Sequence, residues 1–202
     1  MKRFDSDLPS EQLKEKILDA ADKRFKILGY KKTAMAEIAN DMGMSTANLY
    51  RYFPSKLDIA ESFALRSFVK MESGLRQAVN LKTVSAASGL RNMVFYLLHY
   101  NFRQLNEYPK INEIIDALCA ERPALVARKK QGELDVLMGI LEKGRDQDGW
   151  DIDDLEQIGL AILSSWLMFS TPAFMCNQTL KQLEKYLNNI MDITFNGLNK
   201  RV

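Results

Sequence analysis

The stretch from Thr33 to Lys56 constrains the fold of this chain more than any other part of the sequence. Its first part carries apolar residues at positions i, i+3, i+4 and i+7. This spacing predicts one buried face on a short helix that begins near Thr33 and ends near Met42. Gly43 can then take the positive φ of a tight turn, and Ser45 is predicted to cap a second helix. Two short helices around a glycine turn are typical of a helix-turn-helix.

The second of these helices is predicted from Thr46 to about Phe53, where Pro54 ends it and Ser55 caps a longer helix. Leu49 and Phe53 are expected to be buried, because they share one face and are the large apolar residues of the segment. The remaining side chains are then turned outward. They are Thr46, Ala47, Asn48, Tyr50, Arg51 and Tyr52.

The letters AEIANDMGMSTANLYRYFPSK at 36–56 resemble the tetracycline-repressor (TetR) family of bacterial regulators, and ILDAADKRFKILGY at 17–30 resembles that family's first helix. The resemblance implies an all-α protein. An N-terminal three-helix helix-turn-helix DNA-binding domain is expected at 11–71, with the motif at about 34–53. A C-terminal helical ligand-binding and dimerisation domain is expected at 72–202. The implied function is a DNA-binding transcriptional regulator, a repressor that a small-molecule ligand releases from a palindromic operator.

The residue types of the second motif helix suit base recognition. Asn48 can pair with adenine, Thr46 can donate or accept, and the Ala47 methyl can touch a thymine methyl. By resemblance, phosphates are contacted by Tyr50, Tyr52 and Lys56, and by Thr33, which is also expected to cap the first motif helix. The sequence departs from the family at Ala36, where some relatives place a base-reading arginine. The predicted DNA-binding residues are Thr33, Ser45, Thr46, Ala47, Asn48, Tyr50, Arg51, Tyr52 and Lys56.

Composition agrees with a folded helical protein, since glycine and proline are few and good helix formers dominate. The net charge is +2, and residues 1–56 carry eleven Lys and Arg against eight Asp and Glu. This excess suits phosphate binding, although a fluctuation of a few charges would give the same pattern. The sequence has neither an apolar run long enough for a membrane span nor a signal-peptide core. A cytoplasmic location is expected, with Cys119 and Cys176 as reduced thiols.

A strongly apolar helix is predicted from about Ala87 to Asn106, with Asn92, Tyr96, His99 and Arg103 on its remaining arc. This arc is interpreted either as a wall of a ligand cavity or as a solvent-facing strip. The resemblance favours the cavity, and core packing is the alternative for every apolar member. The predicted ligand-binding residues are Met93, Phe95, Tyr96, His99, Arg103, Cys119, Trp166 and Phe169.

Two helices near the C-terminus, at about 154–171 and 179–198, are predicted to form the subunit interface. The first is apolar on opposite sides, with Leu160 and Leu167 on the second of them, so it needs partners on both. Such helices can complete a monomer core or pair across a two-fold axis as a four-helix bundle. The resemblance favours the homodimer.

Enzyme chemistry finds little support in the sequence, and neither a cofactor nor a metal is expected. Glu-x-x-His pairs, zinc-ligand spacings and glycine-rich nucleotide loops are absent from the sequence. A thiol nucleophile at Cys119 with His99 as its base stays open as an unusual all-α enzyme. The other alternative is a TetR-like protein that binds DNA constitutively and acts through a protein partner.

Overall fold

The computed structural model describes residues 10–198, and every regular element in that range is a helix. The all-α class is therefore confirmed. The prediction that the chain has no signal-peptide core concerns mainly residues 1–9, which lie outside the described residues. The helices are α1 Ser10–Leu28, α2 Met35–Asp41, α3 Thr46–Tyr52, α4 Lys56–Val79, α5 Ala86–Glu107, α6 Ile111–Glu121, α7 Pro123–Gln147, α8 Leu155–Ser165, α9 Leu167–Ser170 and α10 Leu180–Leu198, with a 3₁₀ turn at Pro172–Met175 before α10. None of these helices combines the length and apolarity that a membrane span requires.

The chain divides into two compact units that do not follow the order of the sequence. The first unit contains the chain up to Phe68 together with Asn106–Val126. The second contains Val69–Leu105 and the chain from Ala127 onward. The segment 106–126, which carries α6, therefore belongs with α1–α3, whereas the boundary drawn from the sequence assigns it to the second domain.

An aromatic cluster explains why this segment belongs to the first unit. The ring of Phe25 lies 5.8 Å from that of Tyr30 and 6.1 Å from that of Phe63. Phe63 in turn meets Tyr108 at 5.5 Å between ring centroids. Tyr108 is buried, and its hydroxyl donates to the Asp22 carboxylate of α1. Burial and this carboxylate both raise the pKa of Tyr108 far above its ordinary value. The residues before α6 thus complete the core of the first unit.

The second unit has its own apolar core, to which α5, α7, α8 and α10 all contribute. Leu97, Leu137, Trp166 and Leu187 are completely buried within it. Asp154 caps α8 by accepting a hydrogen bond from the Gln157 amide at 3.0 Å. An acidic N-cap such as Asp154 satisfies a free amide and complements the positive end of the helix dipole.

The single helix expected at about 154–171 is wrong, because the helix is interrupted at Trp166. The Ser164 hydroxyl donates to the Leu160 carbonyl, and the Ser165 hydroxyl donates to the Ile162 carbonyl, each at 2.7 Å. The Trp166 amide is shared between the carbonyls of Ile162 and Leu163. Serine hydroxyls that bind helix carbonyls weaken the regular ladder. The chain therefore ends α8 at Ser165 and starts the short α9 at Leu167, with Trp166 between them.

Candidate nucleic-acid interface

The first motif helix, α2, begins two residues later than predicted. Thr33 is 1% exposed, and its hydroxyl donates to the Gly29 carbonyl at 2.8 Å. Ala34 occupies the N-cap position, and its amide donates to the Glu37 carboxylate at 3.0 Å. The expectation that Thr33 caps α2 is wrong, because its hydroxyl closes the preceding loop. A buried hydroxyl with a carbonyl partner is also poorly placed to reach a phosphate.

The turn between α2 and α3 is built as the sequence predicts. Gly43 has φ +66°, the left-handed conformation that glycine adopts without steric cost. Its amide donates to the Asn40 carbonyl, and the Met44 amide donates to the Ala39 carbonyl, both at 3.0 Å. These two bonds form a Schellman motif, which satisfies the last carbonyls of α2. Met44 then packs inward and fixes where the chain enters α3.

The second motif helix, α3, has one buried side and one accessible side. Ser45 caps it, accepting a hydrogen bond from the Asn48 amide at 3.1 Å. Leu49 is completely buried and Phe53 is 4% exposed, so both anchor the helix as predicted. The other predicted contacts are accessible: Ser45, Ala47, Tyr50 and Arg51 are exposed, and Thr46, Asn48 and Tyr52 are half-buried. The structure thus groups these seven residues along α3.

An ion pair braces α2 against α1. Arg24 donates to both carboxylate oxygens of Asp41, with Nε–Oδ2 at 2.5 Å and a second bond at 2.8 Å. Its guanidinium also lies 3.3 Å from Glu37. Hydrogen bonding from Arg24 holds the pKa of Asp41 below its ordinary value. A two-point bond of this kind fixes orientation as well as distance.

The ammonium of Lys56, predicted by resemblance to contact phosphate, is bound by the backbone of its own unit. Its ammonium donates to the backbone carbonyls of Tyr30, Lys31 and Thr33 at 2.8, 3.3 and 2.9 Å. It also lies 4.4 Å above the centre of the Tyr30 ring. Burial lowers the pKa of Lys56, opposed by the nearby Glu113 carboxylate. Three carbonyls use the donors that a phosphate would need, so Lys56 holds the loop between α1 and α2.

Two lysines that the predicted set omits are better exposed. Lys31 and Lys32 occupy the loop directly before α2, and both side chains face solvent. A pair of adjacent lysines just ahead of a helix-turn-helix is a sequence signal that could have identified them. They are basic side chains on the same unit as α3, available for phosphates.

The predicted ligand-binding residues are divided between the two units. Cys119 is exposed and belongs to the first unit, whereas the other members lie in the second. Met93, Trp166 and Phe169 are packed in the core of the second unit. His99 is 47% exposed and lies 2.9 Å from Glu184 of α10, and Arg103 is exposed. Phe95 and Tyr96 are half-buried against the core.

The cavity wall predicted on α5 is therefore divided. Asn92, His99 and Arg103 are exposed, whereas Tyr96 is half-buried and Met93 belongs to the core. The helical period gives relative positions along the helix but not the direction of solvent. Among residues 10–198, no group of three or more His, Cys, Asp or Glu side chains is arranged to hold a metal ion.

A glycine-turned pair of short helices, with an accessible polar second helix, defines the helix-turn-helix class of DNA-binding proteins. Residues 17–63 match the family model described as bacterial regulatory proteins, tetR family. The first unit therefore carries a helix-turn-helix that matches the TetR-family model, and the resemblance seen in the sequence is confirmed.

The chain is also similar to individual proteins. Over 76 residues the chain is 36% identical to the HTH-type transcriptional activator FasR of Mycolicibacterium smegmatis, a match covering 38% of this chain and 35% of that protein. A transcriptional regulator from Cytophaga hutchinsonii has a similar fold, with TM-score 0.68 at 22% identity over 92% of this chain and 98% of its own. Thermus thermophilus FadR gives TM-score 0.65 at 19% identity over 94% and 96% of the two chains.

Proposed function

We propose that this protein is a homodimeric, cytoplasmic repressor that binds a palindromic operator and leaves it when a small molecule binds. The observation that carries the proposal is the accessible face of α3 within a matched TetR-family domain. Leu49 and Phe53 anchor α3, and Ser45 fixes its first turn. The side chains that remain accessible are those that can read base edges or meet phosphates.

Each part of α3 has a separate role in this proposal. Thr46, Ala47 and Asn48 read bases in the major groove, while Tyr50, Tyr52 and Arg51 flank them toward the backbone. Lys31 and Lys32 replace Thr33 and Lys56 as the phosphate contacts outside α3. Ala36 is exposed but offers only a methyl group. Readout therefore rests on α3 and on DNA shape.

Selection of bound duplexes from a random pool tests the DNA function. We expect an inverted repeat whose half-sites are one helical turn (~34 Å) or slightly more apart, as a two-fold dimer requires. Affinity should fall steeply as salt rises from 50 to 200 mM. Recovery of no preferred sequence at either salt concentration would contradict the proposal.

The homodimer is supported by exposed apolar side chains late in the chain. Leu167 is 52% exposed and Met168 39% exposed in α9. In α10, Tyr186 is 45% exposed and Ile193 is 68% exposed. The two residues are about two helical turns apart and lie on the same helix face. Phe174, in the 3₁₀ turn between α9 and α10, is 56% exposed. Large apolar side chains concentrated in this way mark protein interaction sites.

Sedimentation of two charge variants tests the dimer. Full burial of a side chain such as Leu167 contributes roughly 1.5–3 kcal/mol. Leu167→Glu should therefore weaken self-association at micromolar concentration. Val69→Glu is the matched control, because Val69 is 60% exposed in α4 and lies outside α9 and α10. A wild-type monomer, or equal dissociation of both variants, would contradict this interface.

The ligand is proposed to contact the accessible part of α5. Tyr96 and Tyr100 stack with their ring centroids 6.0 Å apart, and Arg103 lies one turn further along the helix. Arg103 suits an anionic group, and the tyrosines suit an apolar body. FadR of Thermus thermophilus was solved in complex with lauroyl-CoA. Acyl-CoA thioesters are therefore the first class to test, by native mass spectrometry and by release from the selected DNA. Arg103→Ala should abolish that release and spare DNA binding.

Activation is the second candidate, because the relative FasR is described as a transcriptional activator. In-vitro transcription from a promoter that contains the selected operator separates the two. A repressor lowers transcript yield in proportion to operator occupancy, and an activator raises it. If transcript yield changes neither when this protein is added nor when acyl-CoA is added, the result would favour the alternative. In that alternative the protein binds DNA constitutively and acts through a protein partner.

A further inference from the structure

The loop between α1 and α2, residues 29–34, is held both by its own hydrogen bonds and by side chains from distant parts of the first unit. Lys56 binds the carbonyls of Tyr30, Lys31 and Thr33. Within the loop, the Thr33 amide donates to the Tyr30 carbonyl and the Thr33 hydroxyl to the Gly29 carbonyl. The Lys31 amide is bonded by the α6 segment. The shape of the loop therefore depends in part on these distant partners.

Two residues of the α6 segment contact the loop directly. The Glu113 carboxylate accepts a hydrogen bond from the Lys31 amide at 2.8 Å. The Lys110 ammonium donates to the Leu28 carbonyl at 3.2 Å. These contacts join positions 82 residues apart in the chain, yet all of them lie within the first unit. They act on both sides of Gly29, the residue at which the chain turns out of α1.

Gly29 shows how closely the α6 segment approaches. It has φ +83°, which only glycine adopts readily. A Cβ built on it would lie 2.6 Å from Cδ of Lys110 and 2.8 Å from Oε2 of Glu113. The structure therefore favours glycine at position 29 for two reasons. The backbone turn needs a positive φ, and the α6 segment leaves little room for a Cβ.

We propose that Glu113, assisted by Lys110, is a positioning residue for DNA binding: it fixes the loop that carries Lys31 and Lys32 and leads into α2. This inference rests on the proposed function. The Lys31 amide bonded to Glu113 lies on the same residue whose ammonium is offered to phosphate. Loss of the bond lets the lysine pair and the start of α2 move, although neither Glu113 nor Lys110 touches DNA. The α6 segment thereby sets operator affinity from outside the helix-turn-helix.

The test uses the full chain with Glu113→Ala, the conservative Glu113→Gln and the matched control Asp116→Ala. Asp116 is an exposed acidic residue on the same helix, so its loss changes the charge equally. Amide exchange at Lys31 is the direct readout. Glu113→Ala should speed it by about tenfold or more, the factor expected for a hydrogen bond to a charged group. Affinity for the selected operator should fall about three- to tenfold, with Glu113→Gln close to wild type because its amide oxygen still accepts.

Three outcomes would overturn the inference. One is Lys31 exchange in Glu113→Ala equal to that of the wild type. Another is an equal affinity loss in Asp116→Ala, which would show that the loss does not come from the bond between Glu113 and the Lys31 amide. The third is an affinity loss that only follows a lower melting temperature and that Glu113→Gln fails to restore. If the wild-type protein selects no DNA sequence, the proposed function itself fails, while the exchange data still decide whether Glu113 holds the loop.

Discussion

Lys56→Met separates two roles for the same side chain. The resemblance makes Lys56 a phosphate contact, whose loss should leave stability unchanged and lower the salt slope of DNA binding by about one. The structure instead gives its ammonium three backbone carbonyls and the face of Tyr30. Methionine keeps most of the chain length and removes all three donors. We therefore expect the first unit to lose stability.

The size of the effect follows from the surroundings of each bond. A hydrogen bond to a charged group contributes about 1.5–3 kcal/mol. The bond to Lys31 is exposed and water can replace it, so the loss comes from the part-buried bonds to Tyr30 and Thr33. Desolvation of the ammonium offsets some of this gain, as the lowered pKa of Lys56 indicates. The free energy of unfolding should fall by about 2–4 kcal/mol, or the Tm by about 4–16 °C for a chain of this size.

Urea unfolding followed by circular dichroism measures this loss, with Lys32→Met as the control. Lys32 is exposed on the same loop, and its replacement removes the same charge. The control should unfold like the wild type and lose DNA affinity, with a smaller salt slope. The reasoning is refuted if Lys56→Met unfolds at the wild-type midpoint while its DNA binding shows the smaller salt slope instead.

Three further predictions concern the same unit. Asn48→Ala should cost about 1–3 kcal/mol on the selected operator and relax preference at one base pair, which a repeated selection would show. Gly29→Ala should lower the Tm clearly, because φ +83° and the contacts at 2.6 and 2.8 Å both oppose a Cβ; wild-type melting would contradict this. The folded-state pKa of Asp41 lies below its unfolded value of 3.8, so its pair with Arg24 stabilises above about pH 4 and is lost as pH falls through the folded pKa. In acid titrations of unfolding, Asp41→Asn should be less stable than wild type at pH 7 and the difference should shrink toward pH 2.

The features predicted correctly from the sequence are those that neighbouring residues determine. Ser45 caps α3, Gly43 takes the positive φ, and Leu49 and Phe53 are buried. A cap, a glycine turn and a helical apolar stripe each depend on residues within one or two turns. The same local reasoning placed the start of α2 too early, because Thr33 has a carbonyl acceptor four residues before it that competes with capping.

The features that sequence reasoning missed depend on residues far apart in the chain. Nothing near Lys56 shows that its ammonium meets carbonyls more than 20 residues earlier. Glu113 is 82 residues from the amide that it binds. The helical period of α5 places His99 and Arg103 together but cannot tell whether that arc faces a cavity or solvent. Only the packed structure supplies the direction.

The discontinuity of the first unit has a consequence for synthesis on the ribosome. The helix-turn-helix is complete in sequence at Phe53, but its unit also needs Asn106–Val126. Another 58 residues separate Phe68 from Val126. At about 5–20 residues per second, that segment arrives roughly 3–12 s later. Until Tyr108 and Glu113 have been made, the nascent domain lacks part of its aromatic core and the partner of the Lys31 amide. Newly made chains therefore acquire a finished DNA-binding domain only after more than half of the protein has been translated.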